Sequence, residues 1–262
     1  MSLMERMRPR PGLRVLVTAG AGGIGSAIAR GFLEAGAKVL VCDVDEAALD
    51  AFASAYPDAS TVRADVSLDA DVASLVDAAT ERLGGLDVLV NNAGIAGPTG
   101  AIDEISVEDI RRTLDVDLFG QFLVLRRAAP LLRASPAGAV INISSVAGRL
   151  GYALRTPYAA SKWGIVGLTE SLAKEMGPDG VRVNAILPGI VRGARIEGVI
   201  RERAEAAGVS YEEMEARYLA NTSLRRMVEP EDVASMALFL CSPAGANVSG
   251  QAISVCGNVE TI

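Results

Sequence analysis

Seven short apolar runs recur along this chain of 262 residues, separated by longer stretches in which apolar residues return at helical spacing. The runs at 15–18, 39–42, 61–63, 88–90, 140–143, 183–187 and 252–255 read as strands. Their hydrophobicity is continuous rather than alternating, which suits parallel strands covered on both faces. The stretches 24–35, 45–55, 70–83, 107–133, 158–176 and 231–240 are amphipathic and read as helices. This β-α-β rhythm predicts an α/β fold: a doubly wound, Rossmann-type sheet with right-handed crossovers. No internal repeat or low-complexity linker divides the chain, so residues 13–262 are expected to form a single domain after a tail at 1–12. One stretch breaks the rhythm. Residues 193–223 are polar and helix-prone where a short connection is expected. Open α/β sheets bind ligands beyond the carboxyl ends of their strands, so this insertion is expected to be a helical substrate lid. The alternative is a peripheral helical pair with no contact to substrate.

Composition narrows the partners. Lys and Arg number 25 against 32 Asp and Glu, and the net charge of −7 argues against a nucleic-acid backbone as ligand. Arg6, Arg8 and Arg10 form a short basic arm without neighbouring aromatics, the mark of a solvated tail. No apolar run approaches the roughly 18 residues of a membrane span, and nothing before Gly12 has the apolar core of a signal peptide. Cys42, Cys241 and Cys256 are odd in number and lack paired spacing, which predicts reduced thiols in a cytoplasmic protein. With no histidine and no cysteine cluster, a zinc site is not expected.

The missing histidine also directs attention to other proton carriers. Tyr158 and Lys162 are four apart in a predicted helix and so share one face. A free phenol is a poor base at neutral pH. An ammonium held a few ångströms away favours the phenolate and makes the tyrosine a usable acid–base. Nearer the N-terminus, Thr18-Ala19-Gly20-Ala21-Gly22-Gly23-Ile24-Gly25 follows the first strand and opens the first long helix. Glycines there let the backbone approach a pyrophosphate, and the helix N-terminus supplies free N–H groups with partial positive charge. Asp43 closes the second strand 18 residues after Gly25, near the spacing of a carboxylate that holds the adenosine ribose. That carboxylate repels a 2′-phosphate, and no Arg or Lys stands by to neutralise one, so NAD(H) is expected over NADP(H).

Together these motifs resemble the short-chain dehydrogenase/reductase family from Leu13 to Val255. The chain also carries Asn91-Asn92-Ala93-Gly94 after the fourth strand and Ile143-Ser144-Ser145 after the fifth, with Ser145 thirteen residues before Tyr158. Asn184-Ala185-Ile186-Leu187-Pro188-Gly189 closes the sixth. The resemblance implies seven parallel strands and a homo-oligomer, tetramer or dimer. It places Gly20, Gly23, Ile24 and Gly25 at the cofactor, Asn92, Ala93 and Gly94 on the floor of its cleft, and Asp65 and Val66 by the adenine. The segment after Pro188 and Gly189, through Val191, is expected to approach the nicotinamide carboxamide. Four positions depart from the family pattern. Ala19 replaces a glycine, which should tighten the turn while Gly20 compensates. Asp117 replaces an asparagine that anchors a water leading to the lysine. Gly193 replaces a threonine, and Cys256-Gly257-Asn258 replaces Asp-Gly-Gly.

By this resemblance Tyr158, as phenolate, takes the proton of a secondary alcohol while hydride passes to the cofactor. Ser145 donates a hydrogen bond to the reacting oxygen, Lys162 supports the tyrosine and the nicotinamide ribose, and Asp117 connects Lys162 to a proton-conducting water. Ser144, on the other side of the extended segment, is expected to be structural. Arg149, Arg155, Arg192 and Arg195 lie on segments that can converge on the substrate. They suggest a small polar or anionic hydroxy compound, such as a sugar or sugar acid; solvation, or pairing with acids such as Glu197, is the plainer account. Ile196, Val199, Ile200, Met214 and Tyr218 could instead cover a greasy substrate. Two rival functions stay open: a 3-oxoacyl-thioester reductase, which would prefer NADPH, and a dinucleotide-binding sensor without catalysis.

Overall fold

The computed structural model describes residues 2–259, with the side chains of residues 195, 202, 203 and 206 outside that description. Strands β1 (Arg14–Thr18), β2 (Lys38–Asp43), β3 (Ser60–Arg63), β4 (Val88–Asn91), β5 (Ala139–Ile143), β6 (Arg182–Pro188) and β7 (Ala252–Val255) form one sheet. Their order is β3-β2-β1-β4-β5-β6-β7, and every neighbouring pair is parallel. The chain winds outward from β1 to one edge, then returns to β4 and winds to the other. The crevice above the carboxyl ends of β1 and β4 is therefore the switch point where such sheets bind ligands.

Helices α2 (Gly23–Glu34), α3 (Glu46–Ala55) and α10 (Pro230–Cys241) cover one face of the sheet; α4 (Asp69–Leu83), α6 (Gly120–Arg133) and α7 (Thr156–Met176) cover the other. Successive strand residues point to opposite faces, so Val15, Val17, Val39 and Val41 pack with Ile28, Phe32 and Leu240, while Leu16, Leu40, Leu89 and Val140 pack with Leu75, Val124 and Met176. That two-sided burial is why the strands read as unbroken apolar runs.

One expectation needs correction. The stretch 107–133 is not one helix: α5 (Val107–Leu114) and α6 are joined by a π-helical turn, Asp115–Phe119. The N-terminal arm is exposed at Arg6, Arg8 and Arg10, as a solvated tail is, and within it Leu3–Arg6 forms a short helix, α1, closed by a Ser2/Glu5 capping box. From it Arg6 reaches the carbonyl of Pro243 at 3.4 Å. The stretch 193–223 holds α8 (Ala194–Ala207) and α9 (Tyr211–Leu219), which have a small core of their own around Ile200, Ala204, Met214 and Met227. Ile196 and Tyr218 pack against it. Those apolar residues thus serve the pairing of the two helices. No helix among the described residues is long and apolar enough to cross a membrane.

Candidate active site

Thr18 ends β1 and organises the glycine turn from below. Its hydroxyl accepts the backbone N–H groups of Asn92 (2.9 Å) and Ala93 (3.0 Å), while the Asn92 amide donates to the carbonyls of Thr18 (3.1 Å) and Ala19 (3.0 Å). The chain after β4 is thereby bolted to the chain after β1. Gly25 has to be glycine, since a Cβ there would lie 2.2 Å from the Ala19 carbonyl oxygen and 2.6 Å from the Asn92 amide. Gly20 does not relieve Ala19. Ala19 itself takes the left-handed conformation (φ 47), and Gly20 is needed because a Cβ would meet Val41 at 2.8 Å. Gly23 (φ 50) opens α2, followed by Ile24 on its first turn, and nothing stands within 4 Å of a Cβ built on Gly22 or Gly23. Asp43 leans toward this turn. Its carboxylate accepts the N–H groups of Ala21 (3.4 Å), Val44 (2.8 Å) and Asp45 (3.3 Å). Beside it, burial pushes the Cys42 thiol up to about 12, so that sulfur stays protonated.

Asp65 follows β3, accepting both the N–H (2.9 Å) and the hydroxyl (2.6 Å) of Ser67, and Val66 is buried where it blocks any side chain on Gly120. Pro188 ends β6, Gly189 donates to the Val255 carbonyl at 3.0 Å, and Val191 bridges to Val228. A Cβ on Gly189 would lie 2.8 Å from Cys256, so the C-terminal departure from the family pattern abuts this segment directly.

The catalytic candidates come from three elements. Ser145 follows β5 and caps the 3-10 turn Val146–Gly148, its Oγ accepting the Ala147 N–H at 3.1 Å. Tyr158 and Lys162 lie in the first turns of α7, with Lys162 Nζ 5.4 Å from the Tyr158 ring centroid. Lys162 is buried, and its ammonium faces the Ile143 carbonyl (3.5 Å) and Asp117 Oδ2 (3.7 Å). Asp117, also buried, stands on the π-helical turn; Oδ1 accepts the Ile95 N–H at 2.6 Å and Oδ2 the Ser161 hydroxyl at 3.4 Å. Gly94 packs against this pair, with a Cβ there 3.2 Å from Nζ and 3.3 Å from Oδ1. A carboxylate at this position therefore meets the lysine directly. Ser144 points the other way, donating to the Lys162 carbonyl at 2.8 Å.

The four arginines do not share one set of partners. Arg149 donates to Ser254 Oγ (3.1 Å) and the Ala252 carbonyl (2.7 Å) on β7, and Arg192 pairs with Glu229 (2.9 Å) and Glu215 (3.9 Å). Arg155 is stacked on Tyr158, with its Cζ 5.0 Å from the ring centroid. Arg195 lies on α8, its side chain outside the described residues. Tyr152 and Gly148 belong to none of the sequence motifs. Gly148 allows the 3-10 turn to lie on α7, since a Cβ would sit 2.6 Å from the Lys162 carbonyl oxygen. A glycine after the Ser-Ser pair was the available signal.

A family profile described as enoyl-(acyl carrier protein) reductase matches residues 19–258. Momilactone A synthase of Oryza sativa subsp. japonica is 38% identical over 94% of this chain and 89% of its own. Cis-4-hydroxycyclohexanecarboxylate dehydrogenase of Sinomonas cyclohexanicum is 37% identical over 94% and 96%. The chain belongs to the short-chain dehydrogenase/reductase family. A crystal structure of a variant actinorhodin polyketide ketoreductase with NADPH superposes at a TM-score of 0.89, with 35% identity, over 96% of this chain and 98% of that one. As a short-chain dehydrogenase/reductase it is an oxidoreductase acting on CH–OH groups, and the family binds a nicotinamide dinucleotide. The residues present fit such a group: the space over Gly22 and Gly23 is open, and Gly22, at the N-cap of α2, has no side chain to close the helix, leaving its amide end for a pyrophosphate.

Proposed function

We propose that this protein is an NAD(H)-dependent oxidoreductase interconverting a secondary alcohol and a ketone on a small polar or anionic hydroxy compound. The carrying observation is Tyr158, whose ring lies 5.4 Å from a buried lysine ammonium at the carboxyl edge of the sheet. Bound there, the dinucleotide supplies hydride transfer. The chain supplies the proton and the placement. Tyr158 Oη takes the alcohol proton as phenolate and returns it in the reverse direction, with Lys162 Nζ stabilising the negative oxygen. Ser145 Oγ donates to the substrate oxygen, an interaction worth about 3 kcal/mol in comparable sites. Asp117 balances the charge of Lys162 and holds Ile95, where the substrate-side loop begins. Gly23, Ile24, Gly25, Asn92, Ala93, Gly94, Asp65, Val66, Pro188, Gly189 and Val191 form the proposed cofactor cradle, and α8–α9 the lid.

Asp43 supports NAD(H) over NADP(H), because its carboxylate meets the ribose edge of the glycine turn and repels a 2′-phosphate. Titration should give NADH at least tenfold tighter than NADPH, and Asp43→Ser should shrink that ratio; equal binding would refute the assignment. A screen of secondary alcohols with NAD, read at the reduced-nicotinamide band, tests the activity. In the same assay Tyr158→Phe should abolish turnover while NADH binding persists. Turnover retained by that variant removes Tyr158 from the mechanism.

The NADPH-bound ketoreductase and the description of the family profile favour the second reading, a 3-oxoacyl-thioester reductase. Asp43 and the net charge of −7, unsuited to an acidic carrier protein, stand against it. A homo-oligomer is supported by Phe119, Phe122 and Trp163, about half exposed on the π-helical turn, α6 and α7.

A further inference from the structure

Several arginines among the described residues have an acid beside them. Arg14 pairs with Asp87, Arg30 with Glu231, Arg127 with Asp69, Arg133 with Glu175 and Asp179, and Arg192 with Glu229. Arg155 has no such pairing and lies against the ring of Tyr158. Among the described residues no carboxylate lies within 4.0 Å of its guanidinium, although acids outnumber bases 32 to 25. Its Nη2 donates to the carbonyl of Ala96, and its buried Nε has no partner among the described residues. Tyr152 and Tyr158 hold it from two sides, at 5.1 and 5.0 Å from Cζ to the ring centroids, and their rings meet edge-on at 6.4 Å.

The loops carrying this cation are tied down independently. Leu154, in the left-handed conformation (φ 62), offers its carbonyl to the N–H of Gly100 at 2.9 Å. Together with the Ala96 contact, this fixes the guanidinium against the ring of the proposed acid–base. The residue is only partly buried, so the charge is held by rings and a carbonyl without being sealed off. A half-desolvated cation with no counter-charge is costly, and an arriving anion removes that cost. The planar guanidinium suits a carboxylate, and Tyr152 offers an apolar wall beside it.

We propose that Arg155 is the anion-recognising residue of the substrate site, and that the substrate is a hydroxy carboxylate rather than a neutral polyol or alcohol. The inference deepens the dehydrogenase reading and rests on it. Because the cation lies against the Tyr158 ring, carboxylate and carbinol belong to one small molecule. Arg149 and Arg192 take no part, being engaged on β7 and on Glu229.

The test pairs each acid with its uncharged amide. With NAD, kcat/KM for cis-4-hydroxycyclohexanecarboxylate and for 3-hydroxybutanoate is compared with that for the corresponding carboxamides. At least one acid should exceed its amide tenfold or more, the effect of one charge-assisted pair. Arg155→Gln should bring that ratio toward one, mainly through KM. Arg155→Lys should retain part of it, and Arg192→Gln should leave it as in the wild type. Acid and amide used equally by the wild type, or a ratio unmoved in Arg155→Gln, overturns the proposal. A purely structural strut between the two loops would lower both rates together and leave the ratio alone.

Binding separates this proposal from its parent. Cyclohexanecarboxylate has no carbinol to oxidise, yet calorimetry should show it binding the NADH complex at least tenfold more tightly than cyclohexanecarboxamide, a preference lost in Arg155→Gln. Arg155-dependent acid binding in a protein that oxidises no alcohol would keep the subsite and overturn the dehydrogenase reading. Turnover of neutral alcohols with no acid preference in binding would do the reverse.

Discussion

Ala19 occupies the left-handed region at φ 47, a conformation that costs an L-residue about 1–2 kcal/mol. Its carbonyl is one of the two that Asn92 holds, so the turn keeps its shape against that cost. Ala19→Gly should raise stability by up to about 1 kcal/mol, the relief of strain less the greater chain entropy of glycine, visible as a higher denaturant midpoint. Asp117 is a second residue whose surroundings define its role. Replacement by Asn keeps an acceptor for the Ile95 N–H but removes the charge facing Lys162; replacement by Ala removes both. Equilibrium unfolding should rank wild type above Asn above Ala, with Ala costing about 3 kcal/mol or more for the uncompensated buried ammonium. Arg155 and Asp117 were both legible as residues of interest. Their partners were not, because Ala96 and Ile95 act through backbone atoms that no motif marks.

At the scale of elements, the π-helical turn and the α8–α9 pair carry the most consequence. The apolar pattern over 107–133 continues across Asp115–Phe119, so periodicity shows one helix where the structure has three segments. The widened turn still buries Asp117 completely, and π turns of this kind recur at functional sites. The available signal was a pair of carboxylates, Asp115 and Asp117, inside an otherwise apolar stretch. The α8–α9 pair folds around its own cluster rather than into the sheet's cores, which predicts local opening independent of the sheet. Ile200→Ala should increase amide exchange and protease cutting across 194–219 while the transition of the sheet stays close to wild type, with KM rising more than kcat falls. A uniform loss of stability would show that the pair is welded to the main core.

For the whole molecule, one brace at the amino ends of the strands stands out. Asp87 accepts from Arg14 Nε (2.9 Å), Nη2 (2.6 Å) and backbone N–H (2.8 Å), and from Ser135 (2.6 Å), joining β1, β4 and the approach to β5. Burial pushes its carboxyl up, but the hydrogen bonds from Arg14 and Ser135 outweigh that, and the net shift is below the ordinary 3.8. With the folded value lowered, the stabilisation is present above 3.8 and is lost as pH falls through the folded value. Asp87→Asn should be less stable at neutral pH and show a flatter decline in acid unfolding below about pH 4. The exposed Phe122 and Trp163 carry another expectation: Trp163→Glu should lower the mass measured by light scattering if the proposed oligomer uses that face.

Sequence alone determined the sheet's composition and named its candidate site residues. Parallel strands buried on both faces leave unbroken apolar runs, and glycine is demanded wherever a Cβ would strike backbone, as at Gly25. Tyr158 and Lys162 were found for the same local reason, since helical spacing puts them on one face. Only the tertiary structure decided which charges meet. It gave Asp117 to Lys162 and Glu229 to Arg192, tied Arg149 to β7, and left Arg155 stacked on the phenol without an acid. Those pairings join residues far apart in the chain, and distance through space, which sets electrostatic energy, is not written in the order of the residues.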